Sequence, residues 1–328
     1  MGKILRLSSE SENKLLIETV EILKNGKVAV VPTDTVYGIV CDGENDFAKE
    51  NIYRIKGRPE SKPLIGFIKD IEQAQKLAFI PEKFLPFITK RWPGRNTFIF
   101  KSRIESSYVV TEEKTIGLRI PAYRFINLLS AQFRFLASTS ANIYSMGSVS
   151  DIEQMDISVI DKASIVIDGG RILGFESAIW DLTQDFPVLV RGRVLFVCSG
   201  NSCRSPMAQA ILQKFVGKGI TVASAGIERN FSGSISCETK EVLKEEGIEM
   251  ENFVTTLVTK QMIEQNDLIF GMEERHREKI LELSPEASDK LFVLNVPDPV
   301  GGNIYRYRET KDIIKEKIFD FVLKRIKT

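Results

Sequence analysis

The chain has 328 residues, long for one hydrophobic core, so two domains are expected. Hydrophobic residues make up 43% and charged residues 27%, an ordinary globular balance. A formal net charge of only +1 speaks against stable nucleic-acid binding, which draws on a basic excess, and no apolar run reaches the roughly 20 residues that cross a bilayer.

Taken in chain order, Met1-Gly2-Lys3-Ile4-Leu5-Arg6 runs into a polar stretch without the core of a signal peptide. Residues 12–25 place Leu15, Leu16, Thr19, Val20, Ile22 and Leu23 at helical spacing, and Gly26 follows as a stop. Residues 28–31 read as a short buried strand broken by Pro32. Strand-like runs follow at 64–68, 97–100 and 116–120, with a helical run at 71–78, and 165–168 is a buried strand stopped by Gly169-Gly170. This alternation predicts an α/β domain with a mixed, twisted sheet. Near residue 190 the rhythm restarts: strand 194–197, helix 206–216, strand 221–223, helix 237–246, strand 268–272, helix 274–283, strand 291–294, and a long helix from about 309 to 326. Four strands with intervening helices predict a doubly wound parallel sheet that binds its ligand at the carboxyl ends of the strands. The boundary falls within 188–193, giving domains 1–192 and 193–328 joined almost directly, and no repeat or low-complexity linker interrupts them.

Chemistry concentrates first in Val197-Cys198-Ser199-Gly200-Asn201-Ser202-Cys203-Arg204-Ser205-Pro206. Cys198 ends a buried strand, and the loop runs into a helix with Pro206 in its first turn. Backbone N–H groups of such a loop form an anion nest that binds phosphate and favours a thiolate, so Cys198 is expected to be a nucleophile with a depressed pKa. Arg204 can hold two phosphoryl oxygens, and Ser205 can donate to the thiolate as it leaves. A proton donor is needed on a facing loop, and Asp298, between Pro297 and Pro299, is the candidate general acid. The four cysteines, at 41, 198, 203 and 237, are too few and irregular for a disulfide framework, which points to a reducing cytoplasm. The only histidine, His276, sits in a charged helical pattern and is expected on the surface.

Residues 193–328 resemble the low-molecular-weight protein tyrosine phosphatase family through Val197-Cys198, Gly200-Asn201, Cys203-Arg204-Ser205-Pro206, Ser224-Ala225-Gly226 and Asp298-Pro299. The resemblance implies a phosphocysteine intermediate on Cys198, with Asp298 as acid then base, Arg204 as clamp and Asn201 shaping the loop. Ser202, and Asp298-Pro299-x-Gly301-Gly302 followed by Tyr305, Thr310 and Lys311-Asp312, are most like the bacterial protein-arginine phosphatase branch. Val300 departs from it, because relatives carry an aromatic residue there. Cys203 reads either as a reversible disulfide partner for Cys198 or as a small loop residue. Only Cys237 follows it, against an arsenate-reductase reading. No cofactor and no metal is expected for this half.

In the first half, four segments offer cations, hydroxyls and an amide without a Walker loop: 30–38 with Thr33, Lys56-Gly57-Arg58-Pro59, 115–121 with Arg119, and Ser138-Thr139-Ser140-Ala141-Asn142. With Asp168-Gly169-Gly170, Glu176-Ser177 and Val190-Arg191-Gly192, they resemble the threonylcarbamoyl-AMP synthase family of the YrdC/Sua5 type, whose hallmark is Lys-x-Arg with Ser-x-Asn. The resemblance implies that L-threonine, bicarbonate and ATP, with Mg²⁺, become threonylcarbamoyl-adenylate and pyrophosphate, the product passing to the transferase machinery that modifies adenosine 37 of certain tRNAs. It places Thr33 and Arg119 on threonine or its carbamate, and Lys56, Arg58, Ser140, Asn142, Ser177 and Arg191 on the nucleotide. Phe67 and Tyr123 stand where relatives often have His, the 93–97 loop differs from its usual apolar filling, and Ala178 stands where a Thr is usual. The sequence therefore predicts a cytoplasmic bifunctional enzyme acting on those small molecules and on a phosphoprotein. The rival reading makes the first half a degenerate ligand- or RNA-binding module that targets the phosphatase.

Overall fold

The structure is a computed structural model that describes residues 3–144, 146–229 and 233–327. Two compact units divide the chain, Met1–Pro187 and Val188–Thr328.

The first unit contributes β1 (Lys3–Arg6), β2 (Ala29–Val31), β3 (Gly38–Asp42), β4 (Ile65–Phe67), β5 (Ala78–Phe79), β6 (Asn96–Ser102), β7 (Thr115–Arg119), β8 (Leu136–Ser140), β9 (Ile165–Asp168) and β10 (Ala178–Asp181). They pair in the order β1-β9-β2-β3-β8-β4-β7-β6-β10, with β5 on β6. The pairs β2/β3, β3/β8, β4/β8 and β6/β7 are antiparallel, whereas β1/β9, β4/β7 and β10/β6 are parallel, so the sheet is mixed as expected. Helices α1 (Glu12–Lys24), α2 (Asp46–Lys56), α3 (Ile71–Leu77), α4 (Leu85–Thr89), α5 (Arg124–Ser130) and α6 (Ile157–Lys162) accompany it. Leu15 and Leu23 of α1 pack with Phe125, Ile126 and Leu129 of α5 onto Val31, Val40, Phe67 and Ile165. The helical stripe read in residues 12–25 is the face that makes this contact.

Helix α2 was not anticipated, although its signals are present. Asn45 caps it by accepting from the Ala48 N–H at 2.9 Å, and Gly57 ends it with φ of 60°. That left-handed turn sets Lys56 in the last helical position and sends Arg58 out of the helix axis.

The second unit holds β11 (Val188–Cys198), β12 (Ile220–Gly226), β13 (Leu268–Gly271) and β14 (Leu291–Val293) in the order β12-β11-β13-β14, all parallel. Helices α7 (Arg204–Phe215), α8 (Cys237–Glu245), α9 (Lys260–Gln265), α10 (Glu274–Leu283) and α11 (Ile304–Lys317) make the windings. Strand β11 is longer than the apolar run 194–197, because pairing with β12 begins at Gly192↔Ile220 and continues to Cys198↔Gly226. The last helix begins at 304 rather than 309, since Asn303 caps it through the Arg306 N–H. It ends at Lys317 and passes into a π turn (Ile318–Val322) and a short 3-10 turn (Leu323–Arg325) instead of running unbroken to 326. Among the described residues no helix is long and apolar enough to cross a membrane.

Candidate functional site

Cys198 ends β11 and Arg204 opens α7, so residues 199–203 form the turn between a buried strand and a helix N-terminus. Asn201 takes φ of 54°, a conformation Asn tolerates when its amide is anchored. Here Asn201 Nδ2 donates to Ser205 Oγ at 3.0 Å and to Ser224 Oγ at 2.8 Å, while its Oδ1 accepts from the Thr256 N–H at 2.8 Å. Gly226, paired with Cys198, lets the loop lie against β12: a Cβ there would sit 2.6 Å from Ser199 O and 2.9 Å from Asn201 N. Gly200 and Ser202 lie half-buried in the loop, and Ser202 Oγ is 3.5 Å from Cys203 Sγ.

Cys198 Sγ lies 3.0 Å from Ser205 Oγ. Burial pushes its thiol up, while the Ser205 hydroxyl, the Ser205 and Asn201 backbone N–H groups and the Arg204 guanidinium pull the other way. The net direction is upward, which corrects the depressed value expected from the loop. The physical reason is burial, which outweighs those groups, and Arg204 is itself engaged by carboxylates. Its Nη1 donates to Glu273 Oε2 at 2.6 Å and to Val296 O at 3.0 Å, and its Nη2 donates to Asp298 Oδ2 and, at 3.2 Å, to Ser199 Oγ. Asp298 thus meets Arg204, which closes the loop that Cys198 opens. Asp298 Oδ1 also accepts from the Val300 N–H, and Arg275 Nη2 lies 3.6 Å from its Oδ2. Cys203 is a free thiol 3.6 Å from the Tyr307 hydroxyl. The Val300 and Tyr305 side chains are exposed.

Two residues here were missed or misplaced. His276 is fully buried rather than on the surface. Its Nδ1 accepts from the Glu273 N–H at 2.9 Å and its Nε2 lies 3.1 Å from Ser199 Oγ. Glu273 and His276 form a capping box at the start of α10, with His in the place usually held by Glu or Gln, and only the S/T/D-x-x-E/Q form is a routine sequence signal. Burial pushes Glu273 up, yet Arg204 and Arg275 together bring it below the usual carboxylate value. Burial and the nearby Arg204 charge push His276 down to about 4.

In the first unit, Lys56 is buried at the end of α2. Its Nζ donates to Ser140 O, to Asn142 O at 2.6 Å and to Asn142 Oδ1 at 3.0 Å, and Ser140 Oγ donates to the same Oδ1 at 2.5 Å. Burial and the Arg58 cation pull this ammonium down to about 7, against Glu176, which favours its charged form. Arg58 donates to Lys62 O, Pro63 O and Thr139 Oγ1. The Lys-x-Arg and Ser-x-Asn pairs therefore meet, although residues 84 and 86 apart in sequence make the contacts.

A second cluster adjoins β3. Thr33 Oγ1 shares a hydrogen bond with Thr35 Oγ1 at 2.9 Å, and Arg119 donates to Thr35 Oγ1 at 2.9 Å and to Asp34 Oδ1 at 2.6 Å. Gly38, paired with Ser140, abuts Thr33 and Ser138. Asp34 Oδ2 and Ser138 Oγ are buried without a hydrogen-bond partner among the described residues. Phe67 is buried in the core beside Arg119, whose guanidinium lies 5.7 Å from its ring centre, and the Tyr123 ring packs at the edge of the same core. Ser177 shares a 3.0 Å hydrogen bond with Thr97, and Ala178 begins β10. Arg191 lies on β11, in the second unit.

Two family models match the chain. The Sua5/YciO/YrdC model, described as "Telomere recombination", matches residues 21–192, and the model for low molecular weight phosphotyrosine protein phosphatase matches residues 193–328. The chain belongs to the Sua5/YciO/YrdC family over its first part and to the low-molecular-weight phosphatase family over its second, families whose members are enzymes of the synthase and phosphatase kinds. A threonylcarbamoyl-AMP synthase of Pyrococcus abyssi is 34% identical over 173 residues, covering 52% of this chain and 51% of that one, so the chain spans about half the length of that relative. A protein-arginine-phosphatase of Geobacillus stearothermophilus is 37% identical over 145 residues, covering 42% of this chain and 97% of the relative. The solved P. abyssi Sua5 complexed with L-threonine shares the fold, with a TM-score of 0.54 at 19% identity over 95% of this chain and 96% of that one.

Proposed function

We propose that the protein is a bifunctional enzyme in which residues 1–192 make threonylcarbamoyl-adenylate and residues 193–328 hydrolyse a phosphoprotein. The single observation that carries the second activity is that Arg204, which closes the loop opened by Cys198, meets Asp298 from a separate segment. Cys198 Sγ attacks phosphorus as the thiolate, its proton having passed to the bound phosphoryl group, the bond to the leaving group breaks, and Asp298 delivers the proton that the leaving atom needs. Water, deprotonated by Asp298, then cleaves the S–P bond, releasing inorganic phosphate and regenerating the thiolate. Ser205 stabilises the sulfur as it leaves, Arg204 holds the phosphoryl oxygens, and Ser199, Gly200, Asn201, Ser202 and Cys203 form the cradle. Phosphoarginine as the substrate group is supported by the likeness to a protein-arginine-phosphatase and by the small Ser202 hydroxyl, which leaves room for a planar guanidinium.

For the first activity the meeting of Lys56 with Ser140 and Asn142 is the supporting observation. Threonine and bicarbonate condense to a carbamate, whose oxygen attacks the α-phosphorus of ATP and expels pyrophosphate. Lys56, Arg58, Ser140, Asn142 and Ser177 line the nucleotide and counter its charge, while Thr33 and Arg119 hold the amino acid. The unpartnered oxygens of Asp34 and Ser138 are available to its ammonium or hydroxyl hydrogens. Mg²⁺ bound to the triphosphate would share the task of offsetting its charge. The product would pass to the tRNA threonylcarbamoyl transferase machinery in the cytoplasm.

The deciding experiment is pyrophosphate release by the full chain with ATP, L-threonine and bicarbonate, alongside Lys56→Ala. Release that needs all three substrates and vanishes in the variant supports the synthase. Background release beside an active phosphatase would make the first unit a ligand-binding module.

A further inference from the structure

The hydrogen bonds around His276 settle a proton position. The Glu273 backbone N–H points at Nδ1 from 2.9 Å, so Nδ1 carries a lone pair and the ring proton of the neutral imidazole sits on Nε2. At 3.1 Å from Ser199 Oγ, that Nε2–H is a donor and the serine oxygen an acceptor. Arg204 Nη2, 3.2 Å away, has only protons to offer and donates to the same oxygen. Both lone pairs of Ser199 Oγ are then occupied, and its own O–H has to point elsewhere. Ser199 is half-buried rather than enclosed, so a ligand in the loop can meet that proton. Burial of the ring beside the Arg204 charge, which holds the imidazole neutral, keeps this polarity at physiological pH.

From this geometry we propose that Ser199 is a further substrate-binding residue, whose hydroxyl is constrained to donate to a phosphoryl oxygen, and that His276 is the positioning residue imposing that direction. The inference rests on the phosphatase reading above. Arg204 Nη2 is shared between Asp298 and Ser199, so an oxygen that takes up this N–H lies next to the Ser199 hydroxyl. Without His276, the serine proton can rotate towards a protein acceptor, and its oxygen lone pairs would face the incoming anion. A bulky apolar residue at 199 would pack as well but would offer no proton. The role is thus chemical, and volume alone does not satisfy it.

Inorganic phosphate binding by calorimetry and turnover of an aryl phosphate, both on the full chain, separate the two levels of the argument. Ser199→Ala should weaken phosphate binding and lower kcat/KM by about tenfold, the range of one charge-assisted hydrogen bond. Ser199→Thr should restore both to within about twofold, a rescue that a packing role for a serine would not predict. His276→Phe should reproduce the loss in the Ser199 chain and add little to Ser199→Ala, and the serine pair decides the matter if His276→Phe does not fold. Phosphate affinity unchanged in Ser199→Ala would overturn the proposal. Intact phosphate binding without turnover in the wild-type chain would instead overturn the phosphatase reading and leave Ser199 as an anion ligand.

Discussion

Lys56 is the residue whose charge state matters most in the first unit. Its value near 7 means that the folded unit holds fewer protons than the unfolded chain between about 7 and its ordinary 10.5. The sign follows from linkage: this lysine's burden on folding is full below 7 and fades as pH rises towards 10.5. A bound triphosphate favours the ammonium, so above pH 7 ATP binding should draw a proton onto Lys56. ATP affinity is expected to be flat below that pH and to weaken by up to about tenfold per unit above it. Calorimetry near pH 8 in two buffers of different ionisation enthalpy would read the uptake, and none would show that Lys56 does not serve the phosphates. In the second unit, Asn201→Ala removes three anchors of the loop and places Ala at φ of 54°. We expect a loss of about 2–4 kcal/mol in unfolding free energy, checked by urea titration, together with most of the phosphatase activity.

Two glycines at element ends predict different outcomes, because different forces require them. Gly226 closes β12 against the phosphate loop, and a methyl group there meets backbone atoms of Ser199, Gly200 and Asn201 at under 3 Å. Backbone cannot swing aside as a flexible side chain can, so Gly226→Ala should displace the loop and cut phosphatase kcat/KM by more than about tenfold. Retained activity would mean that β12 can retreat from the loop. Gly57, by contrast, has nothing within 4 Å of its would-be Cβ and is needed only for its φ of 60°. Gly57→Ala should therefore cost only about 1 kcal/mol of stability, with synthase activity changed through Arg58 rather than lost by collapse. Thermal unfolding and pyrophosphate release together distinguish these outcomes.

At the scale of the whole molecule, each unit carries its own buried cluster: Leu15, Val31, Val40 and Phe125 in the first, Leu195, Val197, Ile263 and Ile269 in the second. Separate cores with separate sites predict separable activities. Cys198→Ser should abolish phosphate ester hydrolysis and leave pyrophosphate release unchanged, and Lys56→Ala should do the reverse. Loss of both activities in either variant would show that the sites are coupled.

Much of this was legible from local pattern. Cys198, Arg204 and Ser205 lie within eight positions on a strand, loop and helix, and the α/β alternation follows from hydrophobic periods that any short window displays. The mixed first sheet and the parallel second one follow from the same alternation. Tertiary structure alone decided what depends on distant partners. Arg204 meets Glu273 and Asp298 across 69 and 94 residues, and burial of the Cys198 thiol outweighs the loop groups expected to depress it. His276 sits in a stretch as charged as any exposed helix, yet the cap it makes at α10 turns it inward onto Ser199. Charge patterning reports the average face of a helix, whereas burial of one side chain is set by what the other elements bring against it.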